Sequence, residues 1–210
     1  MLKILLVDDH ELIRAGLKQL LHAGLGKISL GEGRNAAEAM TRVQQEHWDL
    51  AITDITLPGR SGLDLLAEFR SLRPQMPVLI LSVLSEDEIA VRVLKAGAAG
   101  FVHKEASGDE LIKAVKKVLA GGKYVSPSLA EKLAMQIGNP LGDNPHQRLS
   151  DREYLVMTML SSGKTLTQIA KILSLSVKTI STYRSRVLQK MHLANNAELT
   201  RYALKHGLVQ

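Results

Sequence analysis

The chain has 210 residues, of which 45% are hydrophobic and 23% charged; it has no cysteine and a formal net charge of +6. The length favours two domains, the composition excludes global disorder, and the lack of cysteine excludes both a disulfide framework and a thiolate metal site. Residues 1–122 hold 15 Lys+Arg and 16 Asp+Glu, residues 123–146 hold 2 of each, and residues 147–210 hold 10 and 3, so all the excess positive charge lies in the last third. A near-neutral first part joined to a small basic second part points to a polyanionic partner for the second, with a solvated basic surface as the competing explanation.

No apolar run approaches the roughly 20 residues that a membrane span needs. Residues 1–7 are apolar apart from Lys3 but run directly into Asp8 and Asp9, without the longer apolar core of a signal peptide. They are read as a strand of a cytoplasmic protein, with no membrane partner. Residues 10–22 follow as a helix, with Leu12, Ile13, Leu17, Leu20 and Leu21 at helical spacing. Residues 28–33 are a weaker strand, and Asn35 can cap a helix through Met40 and Val43. Residues 49–53 form a buried-type strand, 61–72 a helix, 78–81 another buried strand, 86–96 a helix closed by Gly97, 99–103 a fifth strand, and 107–120 a helix ended by Gly121 and Gly122.

Five strand-then-helix units predict a doubly wound parallel sheet of five strands covered on both faces. Sheets of this kind place their chemistry outside the carboxyl ends of the strands. The residues found there are Asp8, Asp9, Asp54, Ser82 and Lys104. Alone, each is ordinary turn, cap or surface chemistry; together they describe a pocket. Crowded carboxylates repel unless a cation joins them, and an all-oxygen donor set suits a hard divalent ion such as magnesium, which also recruits phosphate oxygens. Lys104 offers a point charge to a phosphoryl oxygen, Ser82 a hydroxyl, and a carboxylate can itself be the nucleophile, giving an aspartyl phosphate.

Residues 121–147 read as a linker with a short helix. Ser126-Pro127-Ser128 starts that helix, residues 129–137 are apolar enough to dock, and residues 138–145 are rich in turn formers. The rest is helical in pattern. Ser150 with Glu153, and Thr165 with Gln168, form capping boxes; Ser176 caps a longer helix through Lys190, and Asn195 or Asn196 opens a last one through Lys205. Residues 165–190 thus read as helix, tight turn, helix, the geometry that sets a second helix into the DNA major groove. In that helix Val177, Ile180, Val187 and Leu188 form the apolar stripe, and Lys178, Thr179, Ser181, Thr182, Arg184, Ser185 and Arg186 the other face. Cations there can neutralise phosphates, and short hydroxyl side chains can approach base edges.

The segments Leu5-Leu6-Val7-Asp8-Asp9-His10, Thr53-Asp54-Ile55-Thr56-Leu57-Pro58-Gly59 and Gly100-Phe101-Val102-His103-Lys104 resemble the receiver domains of bacterial response regulators, over about the first 120 residues. The resemblance implies a flavodoxin-like α/β receiver over 1–122. It makes Asp54 the acceptor of a phosphoryl group from a sensor histidine kinase. It also implies magnesium ligation by Asp9 and Asp54 directly, by Asp8 through water, and by the Thr56 carbonyl, and it puts Ser82 and Phe101 at the switch positions. Leu149-Ser150-Asp151-Arg152-Glu153, Ile169-Ala170, residues 176–185 and Leu188-Gln189-Lys190-Met191 resemble the LuxR-type helix-turn-helix, over about the last 60 residues. A receiver, a linker at 123–146 and an all-α DNA-binding domain at 147–210 together resemble the NarL/FixJ response regulators.

That resemblance implies a transcription factor rather than an enzyme, with promoter DNA, a second copy of itself and RNA polymerase as partners. It puts Ser181, Thr182 and Ser185 at base edges, Lys178, Thr179, Tyr183 and Arg186 at the backbone, and Ala197, Leu199, Tyr202 and Ala203 at dimer contacts; simple closure of a small core remains the alternative for the last four. Control would be a population shift: phosphorylated Asp54 draws Ser82 inward, Phe101 moves toward a buried position, and release of the recognition helix, dimerisation or both follow. Two other classes stay open. One is a magnesium-dependent phosphatase, although Asp54-Ile55-Thr56 lacks the second Asp two residues on that haloacid-dehalogenase enzymes carry; the other is an interaction protein that is never phosphorylated.

Overall fold

The computed structural model describes every residue except Gly59, Ser85, 132–143 and Gln210, together with all side chains of the described residues but those of Asp87 and Glu88. The chain divides into two compact units, Met1–Glu86 with Ala90–Pro127, and Ser128–Gln210 with Asp87–Ile89. Most of the expected docking helix at 129–137 and of the turn-rich run at 138–145 lies outside the described residues; residues 127–131 are helical.

The first unit alternates strands and helices: β1 (Leu2–Val7), α1 (Glu11–Leu25), β2 (Ile28–Gly33), α2 (Ala36–Gln45), β3 (Leu50–Asp54), α3 (Gly62–Leu72), β4 (Val78–Ser82), α4 (Glu86–Lys95), β5 (Gly100–His103) and α5 (Gly108–Leu119). The sheet is parallel throughout, in the order β2-β1-β3-β4-β5. The period-two alternation of strand side chains divides the core. Ile4, Leu6, Ile52, Leu81 and Val102 meet Leu17 and Leu21 of α1 and Leu111, Val115 and Val118 of α5. The alternate residues Leu5, Ala51, Ile80 and Phe101 are buried on the opposite side, where right-handed crossovers put α2, α3 and α4. Each fully buried Leu or Ile contributes about 1.5–3 kcal/mol, so register is strongly specified.

Helix starts follow the local chemistry. Asn35 accepts from Glu38 N, Ser61 and Asp64 form a capping box, and Ser107 accepts from Glu110 N. α1 departs from its apolar spacing. Leu17 and Leu21 are buried with Arg14, whereas Leu12, at 86% exposure, and Ile13 and Leu20 face outward. The face pointing at the sheet is set by 14, 17 and 21; Leu12 lies on the far side of the helix, and Ile13 and Leu20 flank the inward face.

The second unit holds α6 (Asp151–Ser161), α7 (Leu166–Ile172), α8 (Val177–Met191) and α9 (Asn196–Lys205), preceded by a 3-10 turn, Pro145–Arg148. Ser150 with Glu153 and Thr165 with Gln168 make reciprocal capping boxes, and Ser176 and Asn195 cap α8 and α9. α6 packs against α8 and α9, and α7 against α8. Ile180, Val187, Leu188 and Met191 face this core. Val177, expected in the stripe, is 44% exposed because it opens the helix before its inward face begins. The α7–α8 turn is held by Leu175 N donating to Ala170 O at 2.9 Å, with Ser174 in the left-handed region at φ 52°. Among the described residues no helix is long and apolar enough to cross a membrane.

Candidate functional site

The order β2-β1-β3-β4-β5 reverses direction between β1 and β3, and the crevice above such a reversal is where open α/β sheets place their sites. Asp8 and Asp9 leave the end of β1, Asp54 ends β3, Ser82 ends β4 and Lys104 follows β5. Asp8 and Asp54 are each 1% exposed, and Lys104 Nζ stands between them, 2.6 Å from Asp8 Oδ2 and 2.8 Å from Asp54 Oδ2. Burial pulls the Lys104 pKa down, but the carboxylates of Asp54 and Asp8 outweigh it and hold the ammonium above its ordinary value. One cation thus neutralises two carboxylates drawn from positions 46 residues apart.

The remaining oxygens are individually placed. Asp54 Oδ1 accepts from Thr56 N at 3.0 Å, and Oδ2 accepts from the Thr56 hydroxyl at 2.8 Å. Asp8 Oδ1 accepts from His10 N at 2.8 Å. Asp9 Oδ1 lies 2.9 Å from His10 Nδ1, yet it is buried and accepts no hydrogen bond from the described residues. Ligand atoms of Asp8, Asp9, His10 and Asp54 all lie within 4.8 Å of one another. Clustered carboxylates, one with an orphaned oxygen, are a donor set that fits a hard divalent cation. Ser82 is fully buried, and its Oγ accepts from Leu84 N at 2.9 Å.

Phe101 is fully buried as well. It lies inward, on the sheet face opposite α1 and α5.

Two contributors escaped sequence reasoning. His10, read there as the end of the first receiver-like segment and the start of a helix, sets its Nδ1 3.2 Å from Asp8 Oδ1 and 2.9 Å from Asp9 Oδ1. Arg14, 4% exposed, donates from Nη1 to the Asp8 carbonyl at 2.7 Å and from Nε to Glu32 at 2.9 Å. Hydrogen bonds from Lys18 and Arg14 hold Glu32 below its ordinary carboxylate value. The signal for Arg14 was present: it shares the inward face of α1 with Leu17 and Leu21, and a cation on an apolar stripe must find a buried partner.

In the second unit α8 turns Lys178, Thr182, Ser185 and Arg186 to solvent, with Thr179, Ser181 and Tyr183 half-buried. The Thr182 and Ser185 hydroxyls return to the carbonyls of Lys178 and Ser181, each at 3.1 Å, and Thr179 is engaged at the helix start with Ser176. Arg184, expected on the exposed face, is tied instead to Asn196 Oδ1 at 2.7 Å, because it lies on the side of α8 that faces the start of α9. Lys190 donates to the buried Glu153 at 2.6 Å. Burial would raise the Glu153 pKa, but the bonds from Lys190 and Ser150 keep it low.

The expected dimer residues divide. Leu199 and Ala203 are fully buried inside the unit, which corrects their assignment to a partner surface: at i and i+4 they share the inward face of α9. Tyr202 is half-buried, with Oη 2.8 Å from His146 Nδ1 and its ring stacked on His206. Ala197, with Arg201 and Leu204, is exposed.

Residues 4–116 match the response regulator receiver domain family, and residues 147–203 match the bacterial regulatory proteins of the luxR family. The chain is 32% identical to the response regulator GacA of Pseudomonas protegens over 209 residues, covering 100% of this chain and 98% of that one. It is also 32% identical to the response regulator UvrY of Escherichia coli, covering 99% and 96%. Among solved structures, RcsB of Salmonella enterica serovar Typhimurium, bound to promoter rprA with the phosphomimetic BeF3−, superposes with a TM-score of 0.65 at 25% identity, covering 96% of this chain and 97% of that one.

Proposed function

This chain belongs to the NarL/FixJ-type response regulators, DNA-binding transcription regulators that join a receiver to a LuxR-type domain, and from that premise we propose that phosphorylation of Asp54 controls its dimerisation and its binding to promoter DNA. The observation that carries this reading is the Lys104 ammonium held between Asp8 and Asp54, at 2.6 and 2.8 Å, in a buried pocket at the sheet's reversal point.

A carboxylate oxygen of Asp54 attacks the phosphorus of a phosphohistidine on a partner kinase. The P–N bond breaks, the imidazole leaves with its electron pair and takes a proton, and an aspartyl phosphate forms. Asp8, Asp9 and Asp54, with the Thr56 carbonyl, would hold a magnesium ion, which supplies charge neutralisation for the phosphoryl oxygens. Lys104 Nζ, held between Asp8 and Asp54, would pair with an oxygen of the phosphoryl group once Asp54 carries it. The Ser82 hydroxyl turns from Leu84 N toward the new group and donates to it. Attack of water on the same phosphorus breaks its bond to the Asp54 oxygen, releases inorganic phosphate and returns Asp54 to a carboxylate, so the receiver resets its own state.

In the second unit, Ser181, Thr182 and Ser185 approach base edges, while Lys178, Thr179, Tyr183 and Arg186 contact the phosphate backbone. A DNA-bound relative, RcsB, supports promoter DNA as the partner. The self-contact falls to the outward stripe of α9, Ala197, Arg201 and Leu204. RNA polymerase is the partner through which bound protein acts, and the cytoplasm the compartment where kinase and promoter are both reached.

Label from a radioactive small phosphodonor with Mg2+ is expected on the wild-type protein and absent from Asp54→Ala, and phosphodonor should strengthen DNA binding in a gel shift only for the former. Equal DNA affinity with and without phosphodonor in the wild type removes control by phosphorylation.

A further inference from the structure

Asp8 and Asp9 are neighbours in the chain, and neighbouring side chains of an extended strand point to opposite faces. Their carboxylates nevertheless reach one pocket, with ligand atoms of both within 4.8 Å of each other and of Asp54. The chain therefore has to leave the strand conformation here, and it bends at Asp9. The peptide unit between the two residues is held from two directions. Asp8 N stays with the sheet, donating to Gly33 O at 3.1 Å. The pairing of β1 with β2 and β3 ends at Val7, and Asp8 O accepts instead from Arg14 Nη1 at 2.7 Å. Arg14 lies on the buried face of α1 with its side chain 5% exposed, and its Nε donates to Glu32, near the end of β2, at 2.9 Å. Lys18 Nζ reaches the other Glu32 oxygen at 2.7 Å, so that carboxylate is fixed by two cations.

We propose that Arg14 is a positioning residue of the cation pocket: by fixing the peptide between Asp8 and Asp9 it aims both carboxylates at one divalent ion. The proposal rests on the magnesium and phosphorylation reading above. A peptide unit is planar, so holding its carbonyl oxygen sets the direction in which the next residue leaves. A buried carbonyl that loses its donor turns toward water rather than stay unpaired, and that turn carries Asp9 away from Asp8 and Asp54. Arginine suits the task because its planar fork holds the carbonyl and Glu32 together, which the point charge of a lysine does not. Arg14 bonds the Asp8 carbonyl rather than its carboxylate, and Glu32 offsets its charge. The pocket thus gains a fixed donor without a cation that competes for the carboxylates.

The test measures Mg2+ binding to the full-length protein by isothermal titration calorimetry, with circular dichroism to confirm folding. Charge and geometry predict opposite signs. If Arg14 acted by its charge, deleting that cation beside a divalent site would tighten Mg2+ binding. As a positioning residue, Arg14→Met should weaken Mg2+ binding about tenfold. Arg14→Lys, which keeps the charge and loses the fork, should weaken it to a lesser degree. The Mg2+ needed for half-maximal labelling of Asp54 by acetyl phosphate should rise about tenfold in Arg14→Met, with excess Mg2+ restoring the label. Wild-type or tighter Mg2+ affinity in a folded Arg14→Met overturns the positioning role and leaves the Asp54 reading intact. Where Arg14→Met does not fold, wild-type affinity in Arg14→Lys overturns it. A wild-type protein that binds no Mg2+ overturns both.

Discussion

The ammonium nitrogen of Lys104 lies 2.8 Å from Oδ2 of Asp54, with the Lys104 side chain 8% exposed and that of Asp54 fully buried. A buried pair of this kind adds little stability over an apolar substitute, but removing one partner strands the other charge, at about 3–5 kcal/mol. Lys104→Met should therefore lower unfolding stability by about 3 kcal/mol in chelator, because Asp8 and Asp54 are left to repel each other. Mg2+ should restore most of that loss, since the cation takes over the neutralisation. Denaturant titration with EDTA and with Mg2+ reads this directly; a deficit indifferent to Mg2+ refutes the account of the pocket.

The second unit carries its own acid-sensitive pair. Glu153 is buried and paired with Lys190 at 2.6 Å, and its folded pKa lies below the ordinary value of 4.5. A depressed carboxylate stabilises the fold above its unfolded pKa, and that contribution is lost as pH falls through the folded value. Lys190 is 43% exposed, so the pair is screened and is expected to contribute only about 1 kcal/mol. Lys190→Met should lose that amount at pH 7 and show a shallower acid limb below pH 4.5. A parallel limb would assign the acid sensitivity to other groups.

Tyr124 responds at the other end of the scale. Burial first, then the carboxylates of Glu110 and Glu86, push its phenol up to about 12. The protonated form is the one the fold prefers, so its contribution is fully present below about pH 10 and is lost as pH rises toward 12. Ultraviolet titration of tyrosinate should show a late step that Tyr124→Phe removes. A Tyr124→Phe protein that instead loses a step near the ordinary value of 10 would place that phenol in solvent.

The pocket was legible in the sequence because strand ends are punctuated: an apolar run followed at once by Asp8 and Asp9, or ending in Asp54, locates a carboxylate at the carboxyl edge of a parallel sheet without any tertiary information. The helix starts were legible for the same reason, since Asn35, Ser150 and Thr165 declare their caps locally. What could not be read depends on distance. Leu20 and Leu21 are adjacent apolar residues in α1, one 41% exposed and the other fully buried, and only the sheet beneath decides between them. Leu199 and Ala203 fit a dimer face or a core face equally until α6 is packed against them. Tyr124 sits in a stretch with turn formers on both sides, and nothing in its neighbours announces that it pairs with β5; the one trace is Gly100, a glycine at the first position of a strand, where a close backbone neighbour excludes a side chain.

The two faces of α9 separate packing from association. Leu199 is fully buried, so Leu199→Ala should cost about 2–5 kcal/mol and lower thermal stability. Leu204 is 53% exposed, so Leu204→Glu should leave the melting temperature nearly unchanged. If the outward stripe of α9 is the self-contact, Leu204→Glu should weaken the phosphorylated dimer in sedimentation measurements and reduce binding to a two-half-site promoter more than to a single half-site. Wild-type self-association in Leu204→Glu would move the contact off this helix.

The two arginines of α8 should behave differently on DNA, although they are two residues apart. Arg186 is exposed and free to reach a phosphate, whereas Arg184 gives its Nε to Asn196 at 2.7 Å. Each phosphate neutralised contributes about one counterion to the salt dependence of binding. Arg186→Ala should therefore weaken binding about equally across sequences and reduce the slope of log affinity against log salt by about 1. Arg184→Ala should instead loosen the α8–α9 junction, lowering stability by about 1 kcal/mol with a nearly unchanged slope. Fluorescence anisotropy between 50 and about 200 mM salt distinguishes the two, and an unchanged slope for Arg186→Ala would turn that face of the helix away from the DNA.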